Sequence, residues 1–306
     1  MNNEMMTVKE LADYLNLNEK GIYKLLNEKK LPGTKITGKW TFSHDLIRNW
    51  IESNSLHNFT GWERPLAPSP VSDLFISGSD DIILRRILSV ILMSEAPDIL
   101  AYFSNNGSMG GLKALRRGKA HIAGMHLYHA GTGLYNTPYI EETFQKEEAL
   151  LYNLAYRNQG FIMKKNLSVN SVVDIAERKL RYINRERGSG TRLLFKYLCD
   201  ESGVQTENIV GYKNNAYTHI EVGLTILRGE ADIGMGIETV ARMMDLDFHP
   251  LRKERYDLVV PSKNVVLRPV QIFFNVIHSK RFRQVTKGLT GYDLKDTGTL
   301  MPLKPK

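Results

Sequence analysis

From Leu74 onward the sequence switches repeatedly between strand-like and helix-like patterns, and that alternation constrains the fold more than any single motif. Leu74-Phe75-Ile76 is a short apolar run, Ser77-Gly78-Ser79-Asp80 a turn, and Asp81 to Met93 a helical pattern. Ile99 to Phe103 reads as a strand, Asn105-Asn106-Gly107-Ser108 as a turn, and a helix follows through Leu112, Leu115 and Arg116. His121 to Gly124 is another strand. Arg181 to Ile183, Asn184 to Gly190 and Thr191 to Ser202 repeat the order of strand, turn and helix. Thr218 to Arg228 and Ala231 to Met235 add a helix and a strand. Such alternation predicts an α/β fold with a mostly parallel sheet.

The junctions carry the chemistry. Four are small and polar: Ser77-Gly78-Ser79, Gly107-Ser108, Gly188-Ser189-Gly190-Thr191 and Asn214-Asn215-Ala216-Tyr217-Thr218. A helix N-terminus offers free N–H groups and a partial positive charge. Several such ends meeting at the carboxyl edge of a sheet make a site for an oxyanion or carboxylate. Arg185, Arg187 and Arg192 can add full charge and a bidentate fork. For any one junction the plain alternative is an ordinary cap, so only the set is informative. Asp80 and Asp81 beside the first junction either satisfy their own helix or bind an amine, which would point to a zwitterion.

The first sixty residues follow another pattern. Thr7-Val8-Lys9-Glu10 is a capping box, and Val8, Leu11, Ala12 and Leu15 follow at helical spacing. After a turn, Asn18 can cap a second helix from Glu19 to about Asn27, with Ile22, Leu25 and Leu26 inward. Thr34 to Phe42 reads as a hairpin turning at Thr37-Gly38-Lys39. Ser43 can cap a third helix carrying Leu46, Ile47, Trp50 and Ile51. Two short helices, a hairpin and a helix describe a winged helix-turn-helix, whose second helix enters the DNA major groove. Its outward side chains are Lys20, Tyr23, Lys24 and Asn27, with Lys35 and Lys39 on the wing. Lysines neutralise phosphates and Asn pairs with adenine. The run Gly33 to Lys39 is nearly a P-loop, but Trp40 stands where Ser or Thr is required.

Residues 5–51 resemble the excisionase/MerR-like winged helix-turn-helix. M-T-V-K-E-L-A-D-Y-L-N-L-N, I-Y-K-L-L-N-E-K-K-L-P and K-I-T-G-K-W-T-F carry the likeness. Gly21 departs from it, where a polar or basic residue is expected. Residues 74–260 resemble the periplasmic-binding-protein-like domain, related to class II solute-binding proteins and LysR-type effector domains. Seven blocks carry that likeness in order: S-G-S-D-D (77–81), N-G-S-M-G-G-L-K-A-L-R-R-G-K-A-H-I-A-G-M-H-L (106–127), G-L-Y-N (133–136), R-N-Q-G (157–160), N-R-E-R-G-S-G-T-R (184–192), G-E-A-D-I-G-M-G-I (229–237) and E-R-Y-D-L-V-V (254–260).

The resemblance implies a winged helix-turn-helix at 1–55, a linker at 56–71 and a two-lobed ligand-sensing domain at 72–306. Lobe one would be about 72–155 and 255–306, and lobe two about 160–250, with ligand between them. It implies a one-component transcription regulator. Relatives include binders of molybdate and tungstate, so a tetrahedral oxyanion leads as ligand; the alternatives are a small organic acid or zwitterion, or a DNA- or partner-binding protein whose large domain has lost ligand binding. The matching contacts are Ser79, Ser108, Ser189, Thr191 and Arg192, with His126 and Tyr217 nearby.

Composition limits the other classes. The 306 residues carry a net charge of +8, and all but one unit of it lies beyond residue 60. A basic balance suits an anionic partner but does not mark the N-terminal segment as the DNA reader; the pattern does. No apolar run is long enough for a transmembrane helix, and the N-terminus lacks a signal-peptide pattern. Cys199 is the single cysteine, which excludes an intrachain disulfide and suits a reducing cytoplasm. It falls within a helical pattern and reads as a buried thiol. His126 and His129 lack a third partner for a metal. No H-E-x-x-H or G-x-S-x-G motif supports catalysis. The expectation is a non-enzymatic, cofactor-free cytoplasmic homodimer that binds double-stranded DNA and a small anion, with no membrane partner.

Overall fold

The computed structural model describes residues 5–57 and 73–303, apart from positions 29, 37, 146 and 147. Contacts divide the chain into two compact units, Met1–Ala67 and Pro68–Lys306. The predicted linker, save its first two residues, and Thr37 of the hairpin turn lie outside the described residues.

The small unit comprises β1 (Met5–Met6), α1 (Val8–Leu15), α2 (Glu19–Asn27), β2 (Thr34–Ile36), β3 (Lys39–Ser43) and α3 (His44–His57). Thr7 and Glu10 form the expected capping box, and Asn18 caps α2. Asn16, in the left-handed conformation at φ 52°, ends α1 and creates the tight turn. β2 and β3 form an antiparallel wing, which β1 extends on its other side. Leu11, Ile22, Phe42 and Ile47 are fully buried between helices and sheet. Leu46 is not part of this core: it is 53% exposed, because Ile47 takes the inward face of α3.

The large unit begins with β4 (Leu74–Gly78), α4 (Ile82–Arg86), α5 (Met93–Glu95), β5 (Ala101–Asn105), α6 (Gly107–Arg116) and β6 (Ile122–Met125). The hairpin β7 (Tyr128–His129) and β8 (Leu134–Tyr135), then α7 (Thr137–Thr143), lead to β9 (Ala149–Met163). Next come α8 (Val172–Glu177), β10 (Tyr182–Arg185), α9 (Gly190–Glu201), β11 (Asn215–Ala216), α10 (His219–Leu227), β12 (Ile233–Ile237) and α11 (Glu238–Met243). The unit closes with β13 (Asp247–Pro261), α12 (Arg268–His278), α13 (Lys280–Thr286), β14 (Tyr292–Asp293) and β15 (Leu300–Met301). The helical pattern over Asp81 to Met93 is interrupted by a π-helical stretch at Ile87–Leu92 between α4 and α5. Strands β4 and β10 run further than expected, taking in Ser77 and Gly78, and Asn184 and Arg185.

One sheet runs through the unit in the order β11-β10-β12-β9-β13-β6-β4-β5. At one end β5, β4 and β6 are parallel, and at the other β11, β10 and β12 are parallel. Between them β9 and β13 pair antiparallel along their whole length, from Asp247 opposite Met163 to Pro261 opposite Ala149. These two strands join two α/β lobes. β9 is buried along most of its length, the pattern expected when helices cover both faces of a sheet. Two buried clusters flank the sheet in each lobe. No helix among the described residues is long and apolar enough to cross a membrane.

Candidate functional site

The carboxyl ends of β4 and β6 in one lobe, and of β10 in the other, open onto the middle of β9 and β13. Polar side chains concentrate there. Ser79, Asp81, Ser108, His126, Arg157, Gln159, Arg185, Ser189, Thr191, His219 and Glu254 are all buried.

The two long strands lay the floor. Arg157 on β9 stands directly opposite Glu254 on β13. Its Nε donates to Glu254 Oε1 at 2.5 Å and its Nη1 to Asp81 Oδ2 at 2.6 Å. The guanidinium also lies over the Tyr256 ring, 4.7 Å from its centroid. Burial raises the Glu254 carboxyl, but Arg157 and His126 outweigh it, and the net shift is below the usual glutamate range. Two residues on, Gln159 Nε2 donates to Thr191 Oγ1 at 2.9 Å.

His126 follows β6 and is held from both sides. Its Nδ1 is 2.9 Å from Glu254 Oε2 and its Nε2 2.9 Å from Ser79 Oγ. Burial is the largest influence and lowers its pKa despite Glu254. The neutral ring that fits both partners donates from Nδ1 to the carboxylate and accepts the Ser79 hydroxyl proton at Nε2. The other hydroxyls work differently. Ser108 Oγ accepts from His126 N at 3.2 Å, Ser189 Oγ from Arg192 N at 3.2 Å, and Thr191 Oγ1 from Gln159. Each therefore keeps a hydroxyl proton to donate.

The lobes meet at glycines. Gly107, at φ +72°, begins α6, and a Cβ there would meet Gly188 O of the opposite lobe at 2.9 Å. Gly190 begins α9, and a Cβ there would meet His126 O at 2.6 Å. Met109 N donates across to Gly188 O at 3.4 Å, and Asn105 Nδ2 to Tyr217 O at 2.7 Å. The N-termini of α6 and α9 are thus brought to one place, with N–H groups unused by their own helices.

Five of the seven predicted ligand residues, Ser79, Ser108, His126, Ser189 and Thr191, are gathered in this cluster. Arg192 and Tyr217 are not. Arg192 Nη1 is engaged by Arg185 O at 2.8 Å and Asn215 Oδ1 at 2.6 Å, and the guanidinium lies over Tyr212. Tyr217 is 61% exposed. Arg185, considered beside Arg192 in the sequence, takes the interior position because β10 extends to it and ends there at the cleft. It pairs with Glu186 at 2.9 Å and donates to Ala216 O and Tyr217 O. Arg185 Nη1, Arg157 Nη2 and Gln159 Oε1 are buried without a hydrogen-bond partner. Asp81 caps α4, accepting from Ile83 N and Leu84 N, and also receives the Tyr292 hydroxyl at 2.7 Å; Asp80 pairs with Arg85. Neither acid is free for an amine. Arg157, Gln159, His219 and Glu254 were missed in the sequence as site residues. For Arg157, Gln159 and Glu254 the signal was the strongly polar residues in R-N-Q-G and E-R-Y-D-L-V-V; for His219 it was only its place just after the 214–218 junction.

On the small unit, Lys20, Tyr23, Lys24 and Asn27 form one exposed face of α2, and Lys35 and Lys39 are exposed on the wing. None of these six pairs with an acid of the described residues; Lys35 lies 6.0 Å over the Trp40 ring. Cys199 is buried, and burial pushes its thiol up to about 11. Among the described residues no group of three or more His, Cys, Asp or Glu is placed to hold a metal ion.

A family model described as the PBP superfamily domain matches residues 91–278, more than half of the chain. The chain belongs to the PBP superfamily. A helix-turn-helix domain model matches residues 5–55, ahead of the PBP domain. The pairing is that of a ligand-sensing DNA-binding regulator. The "Uncharacterized protein YvgK" of Bacillus subtilis (strain 168) is 28% identical, over 96% of this chain and 97% of its own length. A Clostridium pasteurianum protein, named for its position in the ferredoxin 2Fe-2S gene 5' region, is 34% identical over 32% of this chain and 88% of its own. Among solved structures, a Clostridium perfringens protein assigned as a phosphate ABC transporter substrate-binding protein and solved with bound phosphate matches at a TM-score of 0.52. It is 16% identical and covers 76% of this chain and 100% of its own, which shows the shared fold.

Proposed function

We propose that the chain is a one-component transcription regulator that reads duplex DNA through α2 and the wing and senses a small oxyanion between the lobes of its PBP domain, with molybdate or tungstate leading. One observation carries the ligand class: the cleft presents donors without free acids. Arg185 Nη1 and Arg157 Nη2 are unpartnered, Ser108, Ser189 and Thr191 keep their hydroxyl protons, and Asp80 and Asp81 are already paired. An oxyanion presents acceptors on every side and satisfies such donors. The amine of a zwitterion finds no free carboxylate there. Bound phosphate in the Clostridium perfringens protein gives the ligand class a precedent in this fold.

In this reading the cytoplasmic protein acts as a homodimer, because two-fold operators reward paired heads, and ligand closure of the lobes changes their spacing. It uses no catalytic step, and turnover of a bound ligand would overturn that part.

The test is a thermal-shift titration of the full chain with molybdate, tungstate, sulfate, phosphate, organic acids and amino acids. A ligand at about a hundred times its dissociation constant adds roughly 2.7 kcal/mol. A shift with oxyanions alone supports the reading. A shift only with an organic acid keeps the regulator and discards the oxyanion.

A further inference from the structure

His219 is the first residue of α10, and among the described residues its side chain is the one group of the cleft with no polar partner. It is buried, and neither Nδ1 nor Nε2 has a hydrogen-bond partner. A buried polar atom left unsatisfied is costly, and native structures rarely keep one without a reason. The surroundings define what the ring can meet. Nδ1 lies against β12, where a Cβ on Gly236 would approach it at 3.4 Å. The ring centroid is 6.2 Å from that of His126.

The charged and titratable groups facing it are Arg185 from β10, Arg157 from β9 and His126 beyond β6. β11 and β12 contribute none. On α11, Glu238 and Arg242 are engaged with each other. On its own helix, Glu221 receives Tyr217 N. No carboxylate pairs with His219, whereas both ring nitrogens of His126 are occupied by Glu254 and Ser79.

We propose that His219 is the specificity-determining contact of the cleft, reading a doubly charged oxyanion and taking up a proton as that anion binds. The inference rests on the oxyanion reading above and deepens it. A charge balance sets the protonation of the ring. Burial, then Arg185 and Arg157, keep the ring neutral in the free protein. A dianion placed among the same arginines reverses the local field and favours the imidazolium, which donates where the neutral ring has one acceptor nitrogen. A singly charged carboxylate reverses the field less and recruits the proton less. The sign follows from linkage. The ring's pKa is raised in the complex relative to the free protein, so affinity is greatest at low pH and is lost as pH rises through the value in the complex.

The experiment is calorimetric titration of the full chain with tungstate, molybdate and sulfate between pH 6 and 8, in two buffers of different ionisation enthalpy. These anions keep their double charge over that range, so proton uptake reports the protein. The expected result is net uptake of up to about one proton, with the dissociation constant weakening by up to about tenfold per pH unit. His219→Gln should bind at least about tenfold more weakly, with no uptake and a flat pH profile. Proton counting on the unaltered protein needs no variant, so the inference remains testable if His219→Gln fails to fold. Binding without uptake, or uptake that persists in His219→Gln, overturns the inference and leaves the oxyanion reading standing. No binding of any of the three anions overturns both.

Discussion

Arg157→Met removes the charge that holds the floor of the cleft together. Two ion pairs are lost at once, to Asp81 at 2.6 Å and to Glu254 at 2.5 Å, and all three side chains are shielded from solvent. Methionine keeps much of the volume, so the loss is electrostatic rather than a cavity. Removing one partner of a buried pair costs about 3–5 kcal/mol, because the other charge is left uncompensated. Here two carboxylates are stranded, but neither is bare. Asp81 keeps the Tyr292 hydroxyl and the Ile83 and Leu84 amides, and Glu254 keeps His126. Those bonds to charged acceptors are worth about 1.5–3 kcal/mol each. The net loss at pH 7 should therefore sit near the lower end, about 3–4 kcal/mol.

The cost has a pH signature. In the native protein the Glu254 pKa is depressed, so its contribution is present above the ordinary glutamate value of about 4.3 and is lost as pH falls through the folded value. In Arg157→Met burial acts on Glu254 unopposed by the arginine and raises its carboxyl value. The variant then gains relative stability as pH falls from 7 toward 5, while the native protein changes little. The assay is urea unfolding of the full chain at pH 7 and pH 5, followed by near-UV circular dichroism, with the transition of the large unit fitted separately. A loss below about 1 kcal/mol at pH 7, or an equal loss at both pH values, would refute the view of Arg157 as a buried counter-charge.

Other outcomes follow from the same geometry. Arg185→Met should weaken oxyanion binding about tenfold or more, the equivalent of one charged hydrogen bond, while Arg192→Ala should change it far less because its guanidinium is engaged at the 212–215 loop; isothermal titration separates the two, and a larger loss in Arg192→Ala would reverse the assignment. Gly190→Ala places a methyl 2.6 Å from His126 O, a backbone atom that cannot swing aside, so ligand-induced thermal stabilisation should disappear while DNA binding at low ligand persists; a normal thermal shift would show that the lobes need not approach so closely. Lys24→Ala should lower DNA affinity and reduce the salt slope by about one, with the ligand response unchanged. Fluorescence anisotropy across a salt series measures both, and an unchanged slope would remove Lys24 from the phosphate contacts.

The small unit was legible nearly residue by residue, because its signals are local. A Thr-x-x-Glu box and an Asn cap act within one helical turn, so α1 and α2 begin where the spacing places them. Which of the adjacent Leu46 and Ile47 meets the core is not revealed by one turn of a helix, and packing selects Ile47. In the large unit the alternation of strands and helices, and the Ser- and Gly-rich junctions, also speak locally. They identified Ser79, Ser108, Ser189 and Thr191 as residues at strand ends.

What sequence alone determined, then, was the class of fold, the helix starts and the hydroxyl-bearing rim of the cleft, since caps and turns are decided by neighbours within a few positions. Tertiary structure decided the electrostatics. Arg157 meets Glu254 ninety-seven positions away because β9 and β13 pair in one particular register, and a slip of one residue would leave the two on opposite faces. Arg185 rather than Arg192 enters the interior because β10 runs two residues longer than its apolar core suggests. His219 faces the arginines because α10 packs on β12 where Gly236 leaves room. Pairings of that kind depend on register and packing across the sheet, which local patterns do not encode.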